Sequence, residues 1–167
     1  LTLSGTNDDV EFFDYAAFRY AAVIGNKAVF NPNEVYAVAR HHAFREQCFL
    51  ESNMPHLSDI WSICRNALKI GVQEGYLDCP SREKGQYLGD FTVSGLSHLY
   101  LTGDTEQYKK ALFDFADTSF ISRGIMAVAP GALMQEIADF SLQYPLQVKA
   151  YFEYSGDTDT LRALYPT

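Results

Sequence analysis

Basic residues are scarce in this chain: 13 Lys plus Arg stand against 21 Asp plus Glu, for a net charge of −8. Phosphate neutralisation needs clustered Lys and Arg, and so does a polybasic membrane-surface module. The balance therefore argues against both a nucleic-acid partner and a membrane partner. Long apolar runs are missing too, and none approaches the ~18 residues of a transmembrane helix. Cysteine is limited to Cys48, Cys64 and Cys79, with no CxxC pair. That gives neither a zinc pattern nor a disulfide framework. Free and mostly buried thiols are expected, with a single disulfide left open. His41-His42 has no third ligand nearby, so no metal is expected. Glycine patterns of the GxGxxG or GxxxxGKS kind are absent, so no nucleotide cofactor is indicated. Ser119 and Ser141 lack a His-Asp arrangement for nucleophilic catalysis. The first residues, LTLSGTNDDVEFF, carry neither an initiator Met nor a basic-then-apolar leader, and the chain reads as a piece of a longer one.

What remains is an apolar, aromatic-rich sequence, 47% hydrophobic and 14% Phe, Trp and Tyr. That excludes disorder and suits a domain of ordinary size. Aromatic rings build cores, but they also stack on the apolar faces of sugars whose hydroxyls are held by carboxylates.

Two regimes follow one another along the chain. Val10 to Ile24 and Glu34 to His42 alternate in the manner of strands, with turn signals at Gly25-Asn26 and Asn31-Pro32-Asn33. Two strands do not make a stable sheet alone, so residues 1–43 read as the end of a β-sandwich or a linker. From about Ser52 the period turns helical. Leu57, Ile60, Trp61, Cys64, Ala67, Leu68 and Gly71 predict a helix capped by Ser52 or Asn53 and ending near Glu74-Gly75. Further helices are predicted from about Asp90 to Leu101 and from Thr105 to Ile121, the latter capped by Asp104. A last one, from Met134 to Ser155, should be kinked near Pro145, and Asp157 should cap another. Leu101 to Leu112 (LTGDTEQYKKAL) echoes Tyr154 to Tyr165 (YSGDTDTLRALY), the glycines lying 53 positions apart. Such spacing accommodates a helical hairpin, so residues 44–167 read as stacked hairpins.

Chemistry concentrates in the loop of residues 78–90. Asp78, Glu83 and Asp90 lie close together there, Arg82 is beside Glu83, and Gly85 and Gly89 permit tight turns. Glycoside hydrolysis uses one protonated carboxyl to protonate the leaving oxygen, and other carboxylates can hold sugar hydroxyls. Negative charge at Asp78 and Asp90 favours the acid form of Glu83 provided Arg82 pairs elsewhere. The acids do not follow the alternating spacing of an EF-hand calcium loop.

The run Asp78-Cys79-Pro80-Ser81-Arg82-Glu83-Lys84-Gly85-Gln86-Tyr87-Leu88-Gly89-Asp90 resembles the catalytic loop of the α-L-rhamnosidases of glycoside hydrolase family 78, D-C-P-Q-R-D-E-R-L-G-W-T-G-D. Phe18-Arg19-Tyr20 is similar to the family's G-F-R-Y strand. Ser52-Asn53 with Trp61 is similar to its S-N…W pattern, and Ser155-Gly156-Asp157-Thr158 to its T-G-D-T turn. The resemblance implies the N-terminal part of an (α/α)6 barrel preceded by a few β-strands. It also implies inverting hydrolysis of terminal α-L-rhamnosyl bonds in a rhamnose-containing glycoside, without a cofactor. Glu83 is then the general acid, Asp78 and Asp90 bind rhamnose hydroxyls, Arg82 shapes the site, and Tyr87 stands at the usual Trp and can stack on the sugar. The loop is one residue shorter than the family form and has a single acid after Arg82. The family's general base lies in a later barrel helix, so these 167 residues alone are expected to be inactive and to expose apolar faces that the rest of the barrel covers. The alternatives are a carbohydrate-binding or scaffold module on the same fold, or another (α/α)6 glycosidase or lyase.

Overall fold

The computed structural model describes residues 2, 4–6, 8–24, 31–120, 122–131 and 135–167. Two units are distinguished, Leu1–Arg40 and His41–Thr167.

In the first unit neither expected strand forms. Residues 10–24 and 34–40 carry no ladder among the described residues, and Phe12, Phe13, Tyr20, Tyr36 and Val38 are exposed. Alternation selects a strand only where a neighbouring backbone accepts its hydrogen bonds, and none is supplied here. The turn expected at Gly25-Asn26 lies outside the described residues. The one at Asn31-Pro32-Asn33 is present: the Asn31 side chain accepts the Asn33 N–H at 3.1 Å, opening a short 3-10 turn at Pro32–Glu34.

The second unit is helical: α1 (Leu57–Gly71), α2 (Leu88–Thr102), α3 (Thr105–Ala116), α4 (Ala138–Ser141), α5 (Tyr144–Ser155) and α6 (Thr158–Leu164). None of these is long and apolar enough to cross a membrane. The two GDT turns are built alike. Gly103 and Gly156 adopt left-handed φ of 70° and 69° and close the preceding helix with N–H bonds of 2.8 Å to Leu99 and Phe152. That conformation is open to glycine at little cost. Asp104 and Asp157 then cap α3 and α6, accepting the Gln107 and Thr160 N–H groups at 3.0 Å each. Each aspartate also takes a partner from earlier in the same unit: His42 Nε2 reaches Asp104 at 2.8 Å, and Lys109 Nζ reaches Asp157 at 3.1 Å. The sequence echo is therefore a repeated structural joint.

Expected boundaries shift in three places. The helix predicted from Met134 to Ser155 is two helices, α4 and α5, with Pro145 in the first turn of α5 rather than at a kink; Met134 itself is not described. Proline lacks the N–H that a helix interior uses, and the first turn does not use it. The first helix ends at Gly71 and starts after His56, which adopts φ 64° and gives no side-chain cap. Ser52 instead receives the Met54 N–H. The third helix stops at Ala116.

The core is aromatic. Phe91 on α2 lies against Tyr76, Tyr108 and Phe115 at ring separations of 5.0, 4.7 and 5.7 Å, and Tyr108 stacks on Tyr151 of α5. Tyr144 donates to the Leu112 carbonyl at 2.8 Å, tying α5 to α3. Residues 126–129 form no helix but are buried, and the Val128 carbonyl accepts the first N–H of α2. By contrast α1 buries no residue, with Ile60 and Ile63 exposed. The thiols are free as expected, but Cys48 and Cys64 are exposed and Cys79 half-buried: Cys64 lies on α1, which buries no residue, and Cys48 lines the same cleft as Cys64.

His98 is fully buried within this core. Its Nδ1 meets the Tyr76 hydroxyl at 3.0 Å, and its Nε2 has no partner among the described residues. Burial lowers it to about 4, with His42 acting in the same sense and Asp104 opposing. The unfolded chain takes up this proton near pH 6.5, whereas the folded chain refuses it until about pH 4. Stability from this group is thus full above pH 6.5 and falls as pH drops through that window, by about 3 kcal/mol in all. Urea unfolding at pH 7 and pH 4.5 should show the loss in the wild type and a flatter response in His98→Gln. Equal slopes would remove His98 from this role.

Candidate functional site

The loop between α1 and α2 is closed on itself. The Asp78 N–H donates to the Gly85 carbonyl, and the Gly85 N–H donates to Asp78 Oδ1, both at 2.9 Å. Cys79 adds an internal brace, its Sγ accepting the Glu83 N–H at 3.4 Å. Backbone N–H groups of Glu83, Arg82 and Lys84 around this sulfur lower the thiol below its ordinary range. Lys84 turns the chain with φ 52°. Burial acts to raise the Asp78 carboxyl, but hydrogen bonds from the Cys79 thiol and from the Gly85 and Cys79 N–H groups outweigh it, and the carboxyl sits below the usual range.

Asp90 lies in the first turn of α2. A helix N-terminus favours a carboxylate, yet Asp90 is raised: burial is the largest cause, followed by the charge of Asp78 and then that of Glu83. The carboxyl of Asp90 thus feels the charges of Asp78 and Glu83.

Glu83 is partly exposed and makes two side-chain contacts. Arg82 pairs with it through Nη2 and Oε1, so the condition that Arg82 pair elsewhere is not met. The residues are adjacent, and no other carboxylate is paired with Arg82 among the described residues. The Tyr87 hydroxyl donates to the Glu83 carboxylate, which raises the phenol above its ordinary range. Its ring lies over Gly85, where a side chain would collide with it.

A cleft of about 670 Å³ runs between α1 and α2. Its walls include Trp61, Leu68, Val93 and Tyr100, and of the five predicted site residues only Asp78 lines it. Trp61, expected in the helix core, is half-buried at this cleft. Among the described residues, no group of three His, Cys, Asp or Glu side chains is placed to hold a metal ion.

Residues overlooked in the sequence hold the site in place. Gln86 bridges Tyr76 and Asp114 (3.1 and 3.0 Å). Gln147, buried on α5, donates to the Leu88 carbonyl at 3.0 Å and to Thr92 Oγ1 at 2.6 Å, fixing the start of α2. Phe140 of α4 packs over Gly89. A lone glutamine gives no sequence signal, since its amide acts only through partners brought from distant elements.

Comparison with known proteins gives two matches. A sequence family described as the bacterial alpha-L-rhamnosidase 6 hairpin glycosidase domain matches residues 45–167. Among solved structures, a "rhamnosidase from Klebsiella oxytoca with rhamnose bound" superposes with a TM-score of 0.58 at 22% identity, over 69% of this chain and 23% of that one. The chain thus spans about a quarter of that protein's length. No curated protein matches. The joined hairpins described above are part of an (α/α)6 barrel.

Proposed function

Because this chain belongs to the bacterial α-L-rhamnosidase six-hairpin glycosidase family, we propose that it supplies the proton-donating half of an inverting α-L-rhamnosidase site. The reading rests on one observation: the loop that carries Asp78 and Glu83 closes on itself through Asp78 and Gly85 and runs directly into α2, whose first turn carries Asp90. Glu83 gives its proton to the glycosidic oxygen as the bond to the anomeric carbon breaks. Water adds to that carbon from the opposite face and loses its proton to a second carboxylate, which in inverting enzymes stands about 6.5–9.5 Å from the acid. That base is assigned to the remainder of the barrel. Asp78 and Asp90 accept hydrogen bonds from rhamnose hydroxyls. Arg82 swings between Glu83 and the sugar, and Tyr87 stacks on the pyranose once its hydroxyl leaves Glu83.

A second reading has its own support. Asp90 is held above its usual range while Asp78 is held below its own, and separation of carboxyl affinities marks acid and base assignments elsewhere. In that reading Asp90 holds the proton and Glu83 binds the sugar.

Proton NMR during hydrolysis of a nitrophenyl α-L-rhamnoside by the full-length enzyme tests the reaction class. The first-formed product should be β-L-rhamnose, appearing before mutarotation. Initial release of the α-anomer would exclude inversion, and no release at all would exclude the activity.

A further inference from the structure

We infer that Gln86 is a positioning residue for the proton-donating loop, holding it to the turn after α1 and to α3 through a carboxamide bridge. The inference rests on the proposed function above. Gln86 directly follows the Asp78–Gly85 closure and precedes Tyr87, the residue that hydrogen-bonds Glu83. Its side chain therefore leaves the loop at the point where the acid, its phenol partner and the sugar-binding aspartate come together.

Both ends of the amide are engaged. Oε1 accepts the N–H of Tyr76 at 3.1 Å, and Tyr76 is a fully buried member of the aromatic core. Nε2 donates to Asp114 Oδ2 at 3.0 Å, and Asp114 is itself held on α3 by Lys110 at 2.6 Å. One planar group thus fastens the loop to the turn after α1 and to α3. The partner backbone is shaped for it: a Cβ at Gly75 would fall on Gln86 Oε1 and the carbon that bears it. Neither a shorter side chain nor a branched one reaches both partners across that gap.

The consequence is catalytic rather than global. A proton donor displaced by about 1 Å can lose up to about 100-fold in rate, whereas the core under Tyr76 is packed by rings that do not depend on the amide. The bridge also has a direction, donor toward Asp114 and acceptor toward Tyr76, so it can be broken and rebuilt.

The test is a set of four variants of the full-length enzyme, assayed on an alkyl α-L-rhamnoside, whose leaving group needs the proton. Gln86→Ala and Gly75→Ala should each lower kcat by about 10- to 100-fold, with KM changed less than about threefold. Gln86→Glu keeps the acceptor for Tyr76 but sets a carboxylate against Asp114, and should lose as much. The double variant Gln86→Glu/Asp114→Asn exchanges donor and acceptor and should recover most of kcat. Should Gln86→Ala fail to fold, the comparison of Gln86→Glu with the double variant decides alone. Wild-type kcat in Gln86→Glu, or no recovery in the double variant, overturns the inference while leaving the proposed function standing. An inactive wild type overturns both.

Discussion

Glu83→Gln is expected to lower kcat of the full-length enzyme on an alkyl rhamnoside by about 10²- to 10⁴-fold, the usual contribution of a general acid. The loss should depend on the leaving group. An alkoxide needs a proton as the bond breaks, whereas a nitrophenolate leaves readily without one, so the nitrophenyl substrate should be hydrolysed with a much smaller deficit. KM should move little, because a glutamine preserves the shape and the hydrogen bond from Tyr87. Asp90→Asn provides the contrast. As a sugar ligand Asp90 should show mainly a rise in KM with no leaving-group dependence. If the leaving-group dependence follows Asp90 and not Glu83, the second reading is correct and the loop's proton sits on the first turn of α2. Steady-state kinetics on the two substrate classes separate these results.

The second large effect is on stability. Phe91→Ala should cost about 3–5 kcal/mol, a large share of the 5–15 kcal/mol that holds an ordinary domain. Phe91 is fully buried, and its ring touches three other rings from the turn after α1 and from α3. Each aromatic pair adds about 0.5–1.5 kcal/mol beyond the area buried. Local collapse is limited, since Gly95 one turn on has no side chain to enter the space and Tyr76 is held by the His98 bond. Urea unfolding followed by far-UV circular dichroism measures the change. A loss below about 1 kcal/mol would mean that this cluster repacks and that the core is centred elsewhere. Phe91→Leu should recover part of the difference, because it restores volume without the ring contacts.

These two positions differ in how they were found. Phe91 followed from helical periodicity: Phe91, Leu96, Leu99 and Tyr100 read as the apolar side of a helix, and the structure buries Phe91 and Leu99 while Tyr100 is exposed. The caps were equally legible. A glycine before an aspartate stops one helix and starts the next for reasons within a few residues, and both joints form as expected. The acids of the loop were also visible, with their clustering, though no pattern in the sequence says where each side chain turns.

The failures share a cause. Alternation at residues 10–24 predicted a strand, but a strand is a property of two backbones, and no pairing backbone is present among the described residues. The acid form of Glu83 was favoured only on condition that Arg82 pair elsewhere, and the structure pairs the two neighbours. The break before α5 hinged on whether Pro145 falls inside a helix or at its start, which packing of α4 over Gly89 decides.

The sequence by itself determined that the unit is helical, the two Gly-Asp joints between helices and the company of three carboxylates on one short connector, because local spacing and capping act over a few residues. Tertiary structure alone decided that Gln86 reaches Tyr76 and Asp114, that His98 is buried beside Asp104, and that Asp90 shares the field of Asp78 and Glu83. Those contacts join residues up to 28 positions apart, and only packing in three dimensions sets which distant polar groups meet and how little water lies between them.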